Sequence, residues 1–221
     1  MTNYVLVHGG SISTETWNKL TIGTPVHTHD GRMGGTCWDG TVSALMAHNH
    51  RVFAPTLKEE DQCNLTGHIR QICGLIVKNE LSGVILVGHS YGGMIITGVA
   101  ARMPDRIRRL VYVDAAVPDP GQSLYDLLTM SLSGPSVKRP VLPEPAEPYV
   151  EKLQFDPEKI KPLLKTYIRC TNSDFISVTD LARQKIASDA KGWTSIELPT
   201  SHLPMASMPD VFYKLMLDAA R

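Results

Sequence analysis

The stretch Val84-Ile85-Leu86-Val87-Gly88-His89-Ser90-Tyr91-Gly92-Gly93-Met94-Ile95-Ile96 enters a Gly-x-Ser-x-Gly turn as an apolar strand and leaves it as an apolar helix. A strand-to-helix turn this tight brings the two elements so close that side chains two residues either side of the serine would collide. Gly88 and Gly92 fit there, and Gly93 eases the packing further. The same turn holds the serine hydroxyl clear of the backbone. A hydroxyl becomes a good nucleophile only in such a position, next to a base and beside hydrogen-bond donors for a developing oxyanion. Ser90 is therefore the candidate nucleophile.

Around this turn, short apolar runs alternate with helical patterns, as in a parallel sheet covered on both faces. The spacing predicts strands at Tyr4–Val7, Arg51–Ala54, Val84–Val87, Leu110–Val113, Thr166–Cys170 and Trp193–Glu197. Helices are expected at about Trp38–Ala47, Leu65–Asn79, Gly92–Arg102, Phe175–Ser188 and Pro209–Ala219. Two stretches break the rhythm. Residues 11–36 are rich in Thr, Gly and His without periodicity and read as an inserted loop beyond the first strand, at the edge where α/β sheets place ligands. Residues 115–162 hold nine of the fifteen prolines, including Pro140-Val141-Leu142-Pro143-Glu144-Pro145. A short helix near Ser123–Met130 followed by a stiff proline-rich segment would make a lid over the strand ends. The expected organisation is a single domain over 1–221, with its core at 1–114 and 163–221.

An activated serine needs a base, and His202 stands in the turn after the last strand, in Leu198-Pro199-Thr200-Ser201-His202-Leu203-Pro204-Met205. Ser207 is expected to cap the last helix in a Ser-x-x-acid box. The base needs a carboxylate to fix its tautomer. Asp174 and Asp114 both follow strand ends in the required chain order. Asp174 is favoured, because its strand should neighbour the one that precedes His202; Asp114 is the alternative, or else holds the lid hinge. The oxyanion donors expected are the backbone N–H of Tyr91 and that of Gly10, in the turn His8-Gly9-Gly10-Ser11, with His8 a buried residue bonding its own loop. Met94, Tyr125, Leu128, Phe175 and Met205 are the residues expected to line the substrate pocket.

Other chemistries find little support. Lys plus Arg equals Asp plus Glu at 22 each, so no field draws nucleic acid or an anionic membrane, and a small neutral molecule is the expected partner. His27-Thr28-His29-Asp30 lacks further metal ligands at readable spacing, and His48-Asn49-His50 reads as the end of a helix. Gly9-Gly10 has neither P-loop nor dinucleotide spacing. No cofactor or metal is expected. Cys37, Cys63, Cys73 and Cys170 are scattered and read as reduced; with no signal-like opening and no apolar run of spanning length, the expected location is cytoplasmic. Oligomeric state is not legible.

On these residues the chain resembles the α/β-hydrolase superfamily, most of all the branch of plant methylesterases and hydroxynitrile lyases together with small bacterial esterases. The resemblance rests on Val5-Leu6-Val7-His8-Gly9-Gly10, Gly88-His89-Ser90-Tyr91-Gly92-Gly93-Met94, Cys170-Thr171-Asn172-Ser173-Asp174 and Ser201-His202-Leu203-Pro204-Met205-Ala206-Ser207-Met208-Pro209. It implies an α/β-hydrolase fold with six parallel strands in the order 2-1-3-4-5-6, flanked by helices and carrying a lid insertion. It also implies Ser90 as nucleophile, Asp174 as acid and His202 as base. Lyases of this branch carry a lysine after the histidine and a hydroxyl residue after the first-strand histidine, where this chain has Leu203 and Gly9. The branch's initial antiparallel strands are absent. The expected activity is cleavage of a small carboxylic ester, lactone or thioester through an acyl-enzyme. Alternatives are a lyase or carbon-carbon bond hydrolase with the same triad, and a ligand-sensing receptor.

Overall fold

The computed structural model describes residues 1–10, 12–131 and 146–221. Strands β1 (Asn3–Val7), β2 (Arg51–Phe53), β3 (Val84–His89), β4 (Ile107–Val113), β5 (Leu164–Cys170) and β6 (Trp193–Leu198) form a parallel sheet in the order β2-β1-β3-β4-β5-β6. The helices are α1 (Thr14–Leu20), α2 (Asp39–Ala47), α3 (Leu65–Lys78), α4 (Gly92–Arg102), α5 (Leu124–Ser131), α6 (Glu147–Val150), α7 (Ile176–Ser188), α8 (Pro204–Ser207) and α9 (Pro209–Asp218).

Alternation along each strand divides the core in two. Val5, Val7, Val84, Leu86, Leu110, Tyr112 and Tyr167 pack on one face with buried residues of α3, α4 and α7. Tyr4, Leu6, Ile85, Val87, Val111, Val113 and Ile168 pack on the other with Trp17, Trp38, Leu45, Phe212 and Met216. Both faces are covered, which is why the strands read as unbroken apolar runs. In α3 the buried residues Leu65, His68, Ile69, Ile72 and Ile76 recur every three or four positions, and Asn64 caps the helix through the Gly67 N–H. The helix α4 is buried on all sides from Gly92 to Ala101, as its continuous apolar sequence requires. From β1 the chain moves outward to β2, then returns to β3 on β1's other side. The C-terminal ends of β1 and β3 therefore frame a crevice at the point where strand order reverses.

Three details differ from the sequence reading. The 11–36 stretch contains α1, whose N-terminus is capped by Ser13 Oγ accepting from the Thr16 N–H at 3.0 Å, and it is closed by an antiparallel bridge between Ser13 and Arg32. Its polar composition hid a helix that buries a single large residue, Trp17. Ser207 does not cap the last helix: it ends α8, and its hydroxyl donates to Leu203 O at 2.9 Å, because Pro204 starts a separate helical turn first. Of the 115–162 stretch, residues 132–145, with the Pro140 to Pro145 run, lie outside the described residues. The described parts include α5, opened by a reciprocal box in which Ser123 Oγ accepts from the Asp126 N–H and Asp126 from the Ser123 N–H. Gln122 and Leu153 form a bridge that ties the two described stems together.

Candidate active site

Ser90 directly follows β3 and has φ +55, a left-handed conformation that is strained for a residue with a Cβ. A Cβ at Gly88 would come within 2.6 Å of Gly92 O, and one at Gly92 within 2.7 Å of Val7 O, so both glycines are needed by the packing. The turn is fastened to the exit of β4: the Ser90 N–H donates to Val113 O at 3.2 Å, and the Ala116 N–H donates to Ser90 O at 3.1 Å. Ser90 itself is half-buried and accessible, while its neighbours on both sides are buried.

The carboxylate that meets His202 is Asp114. Its Oδ2 lies 2.6 Å from His202 Nδ1, and its Oδ1 accepts the Cys170 N–H at 3.0 Å. Asp114 is fully buried and has φ +44, so a second left-handed residue stands at the end of a neighbouring strand. Asp174, favoured from the sequence, is exposed. The reason is the path of the chain after β5. The Thr171 N–H donates to Leu198 O and the Asn172 N–H to Thr200 O, which prolongs the pairing with the β6 exit and carries Asp174 outward. The loop after β6 then turns back across the sheet to the end of β4, where Asp114 waits. Ser173 Oγ is a second neighbour of His202 Nδ1, at 3.3 Å.

The imidazole of His202 is held on both sides. Its ring centroid is 4.5 Å from that of His89 and 5.0 Å from that of Phe175. His89 is buried, its Nε2–H donates to His202 O at 2.8 Å, and its burial keeps it neutral by pushing its pKa well below the ordinary histidine value. His89 is one residue from Ser90 in the chain, so the ring that precedes the serine anchors the loop that bears the second histidine. The sequence reading assigned His89 no role; only the return path of the loop after β6 reveals one.

The β1 exit supplies the opposite wall. A Cβ at Gly9 would lie 2.7 Å from Ser90 Cβ, so only a bare backbone can pass beside the serine. His8 is buried: its Nδ1–H donates to Gly9 O at 2.8 Å and its Nε2 accepts the Leu57 N–H at 2.9 Å. Burial pulls its pKa down to about 4, so it is a neutral brace between two loops. Tyr91, which follows the serine, starts α4, and its hydroxyl donates to His68 Nδ1 at 3.0 Å, while His68 Nε2–H donates to Lys58 O. Tyr91 and Gly10 thus stand at the exits of β3 and β1.

A cavity of about 220 Å³ opens beside these loops, lined in part by Gly9, Tyr91, Thr28, Arg32, Glu60 and His68. None of Met94, Tyr125, Leu128, Phe175 and Met205 borders it. Met94 is sealed in the core because α4 is covered on every side, and Met205 packs with Trp38 and Phe212 on the other face of the sheet. Tyr125 and Leu128 lie on α5, partly buried, and Phe175 instead touches His202. Thr28 and Arg32 of the 11–36 stretch border this cavity, whereas Ser90 and His202 do not. Its His27, His29 and Asp30 are exposed, and among the described residues no group of three or more His, Cys, Asp or Glu side chains could hold a metal. Among the described residues no helix is long and apolar enough to cross a membrane.

A family model described as "Alpha/beta hydrolase family" matches residues 4–215. Among curated proteins, the carbendazim hydrolyzing esterase of Nocardioides sp. (strain SG-4G) is 44% identical over 140 residues, 60% of this chain and 49% of that protein. The putative chloroplastic methylesterase 13 of Arabidopsis thaliana is 31% identical over 116 residues, 48% of this chain and 26% of that protein. The chain thus spans about half the length of the first relative and less of the second. Its fold is similar to that of an extracellular alpha/beta-hydrolase from a Paenibacillus species, at 22% identity and a TM-score of 0.70 over 99% of both chains. It is also similar to that of polyneuridine aldehyde esterase, at 18% identity and a TM-score of 0.72 over 100% of both.

Proposed function

Because the chain belongs to the alpha/beta hydrolase family, we propose that it hydrolyses a small carboxylic ester, with Ser90 as nucleophile, His202 as general base and Asp114 as the carboxylate that orients it. The observation that carries this reading is the buried Asp114 carboxylate on His202 Nδ1, with the His202 loop anchored by His89, the residue before the strained and accessible Ser90. With the Nδ1 proton donated to Asp114, the Nε2 lone pair is free to take a proton. The Ser90 oxygen attacks the ester carbonyl carbon as its proton passes to His202 Nε2. The carbonyl electron pair moves to oxygen, where the N–H groups of Tyr91 and Gly10 receive it. Collapse expels the alcohol, which takes the proton back from His202. Water, activated by the same nitrogen, then attacks the acyl-Ser90 carbonyl and releases the acid. The Asp114 carboxylate stabilises the imidazolium. Ester-cleaving relatives support the substrate class.

The test is labelling by a fluorophosphonate together with intact-mass detection of an acyl adduct from p-nitrophenyl acetate. The expected result is a single adduct on Ser90, and loss of both signals in Ser90→Ala. Undiminished hydrolysis by Ser90→Ala would remove Ser90 from the role.

A further inference from the structure

The 220 Å³ cavity beside Gly9 and Tyr91 is not isolated. A second cavity, of about 440 Å³, lies outside it towards Ala146 and Glu147, and the two share Arg32, Glu59 and Glu60. Glu60, on that boundary, accepts the hydroxyl hydrogen of Tyr149. Tyr149 belongs to α6, in the connection between β4 and β5, and its ring stands edge-on to that of Tyr91 with centroids 4.9 Å apart. Its hydroxyl oxygen would lie 2.5 Å from a Cβ placed at Gly10. One ring therefore touches both loops assigned to the oxyanion and ends on a carboxylate that borders both cavities.

From this arrangement we propose that Tyr149, held by Glu60, is a specificity-determining residue that crowds the space between the two oxyanion loops and restricts the site to esters with a compact acyl group. The inference rests on the hydrolase reading above and adds what selects the substrate. The acyl carbonyl has to sit between those two loops, and a ring held against both leaves little room beside it for a long chain. The ring is firmly held. The neighbouring Pro148 is buried, and two residues beyond Tyr149 the Glu151 carboxylate accepts the Thr66 N–H at 2.8 Å, which pins α6 to the start of α3. Burial, reinforced by the Glu60 carboxylate, holds the Tyr149 phenol far above its ordinary range, so it stays a donor at every pH the fold tolerates.

The experiment compares kcat/KM for p-nitrophenyl acetate, butyrate and octanoate in the full chain and in four variants. In the wild type, activity should fall steeply with acyl length. Tyr149→Ala should raise the octanoate-to-acetate ratio about tenfold or more, chiefly through a lower KM for octanoate. Tyr149→Phe removes the donor and Glu60→Met the acceptor of the same hydrogen bond, so each should raise the ratio by a similar smaller factor, and the double variant should go no further. A ratio in Tyr149→Ala within twofold of wild type, or additive effects of the two bond-breaking changes, overturns the proposal. If Tyr149→Ala does not fold, the bond-breaking pair decides it. A wild type that neither hydrolyses these esters nor labels at Ser90 sinks the hydrolase reading and this inference with it; turnover with an unmoved length profile sinks only the inference.

Discussion

The Nδ1 of His202 lies 2.6 Å from Oδ2 of Asp114, a carboxylate with no exposed surface whose other oxygen is fixed by the Cys170 backbone. Both oxygens are engaged, so the side chain has one orientation to offer the imidazole. Asp114→Asn should place an amide there, favour the wrong tautomer of His202 and lower kcat by on the order of 10⁴, as loss of the orienting acid does in serine triads generally. Asp174→Asn should stay within about twofold of wild type, since that carboxylate is exposed. Steady-state kinetics on one ester would separate the two; equal losses would return Asp174 to consideration.

His89 acts through another residue. Its Nε2–H holds the His202 carbonyl, and its ring packs against the His202 ring. His89→Ala should let the loop shift and cost about 10- to 100-fold in kcat with KM nearly unchanged, in line with the sensitivity of catalysis to misplacement of about 1 Å. His89→Gln, which keeps an N–H donor, should recover part of the loss. A purely structural role would instead lower the melting temperature without this kcat-specific pattern.

Gly9 gives a test of crowding at the serine. A methyl there would stand 2.7 Å from Ser90 Cβ and 3.1 Å from His89 Nδ1. Gly9→Ala should reduce fluorophosphonate labelling of Ser90 at least tenfold and destabilise the fold by about 1–3 kcal/mol through overpacking. The same change at Gly74, where an added methyl meets nothing within 4 Å, is the control and should leave labelling unchanged.

Stability should fall in mild acid. The folded-state pKa of His8 is depressed by burial to about 4, against an ordinary 6.5. Between those values the unfolded chain binds the proton and the folded one does not, so stability is complete above about pH 6.5 and is lost as pH falls towards 4. For His8 alone the loss amounts to about 3 kcal/mol over that window. His68 and His89, also depressed by burial, act in the same direction. Urea unfolding at a series of pH values should show the decline, and His8→Gln should shrink it. An unaltered slope in that variant would assign the acid sensitivity elsewhere.

What could be read from the sequence was local. The apolar runs, the glycines about Ser90 and the short breaks between elements report on residues near one another in the chain, and the strands and the longer helices stand within a few residues of where they were expected. The identity of the histidine's carboxylate was not local. Asp114 and Asp174 both follow strand ends, and the choice depended on which way the loop after β6 crossed the sheet. A partial signal existed, since Asp114 abuts its strand directly whereas Asp174 lies four residues beyond Cys170. Met94 and Met205 were judged as pocket residues by type, yet both are buried in the core, because α4 is enclosed and α8 packs on the far face of the sheet. The polar insertion, which looked structureless, closes on itself through Ser13 and Arg32 and brings Thr28 and Arg32 to the cavity.

The backbone bonds from Ser90 to Val113 and from Ala116 to Ser90 join the elbow to the very residues that flank Asp114. Two of the three groups proposed to react are therefore parts of a single frame, and the third stands on the short arm after β6. Sequence drift or engineering in that arm, from Pro199 to Leu203, can change how well the imidazole is aimed without disturbing either the serine or the acid.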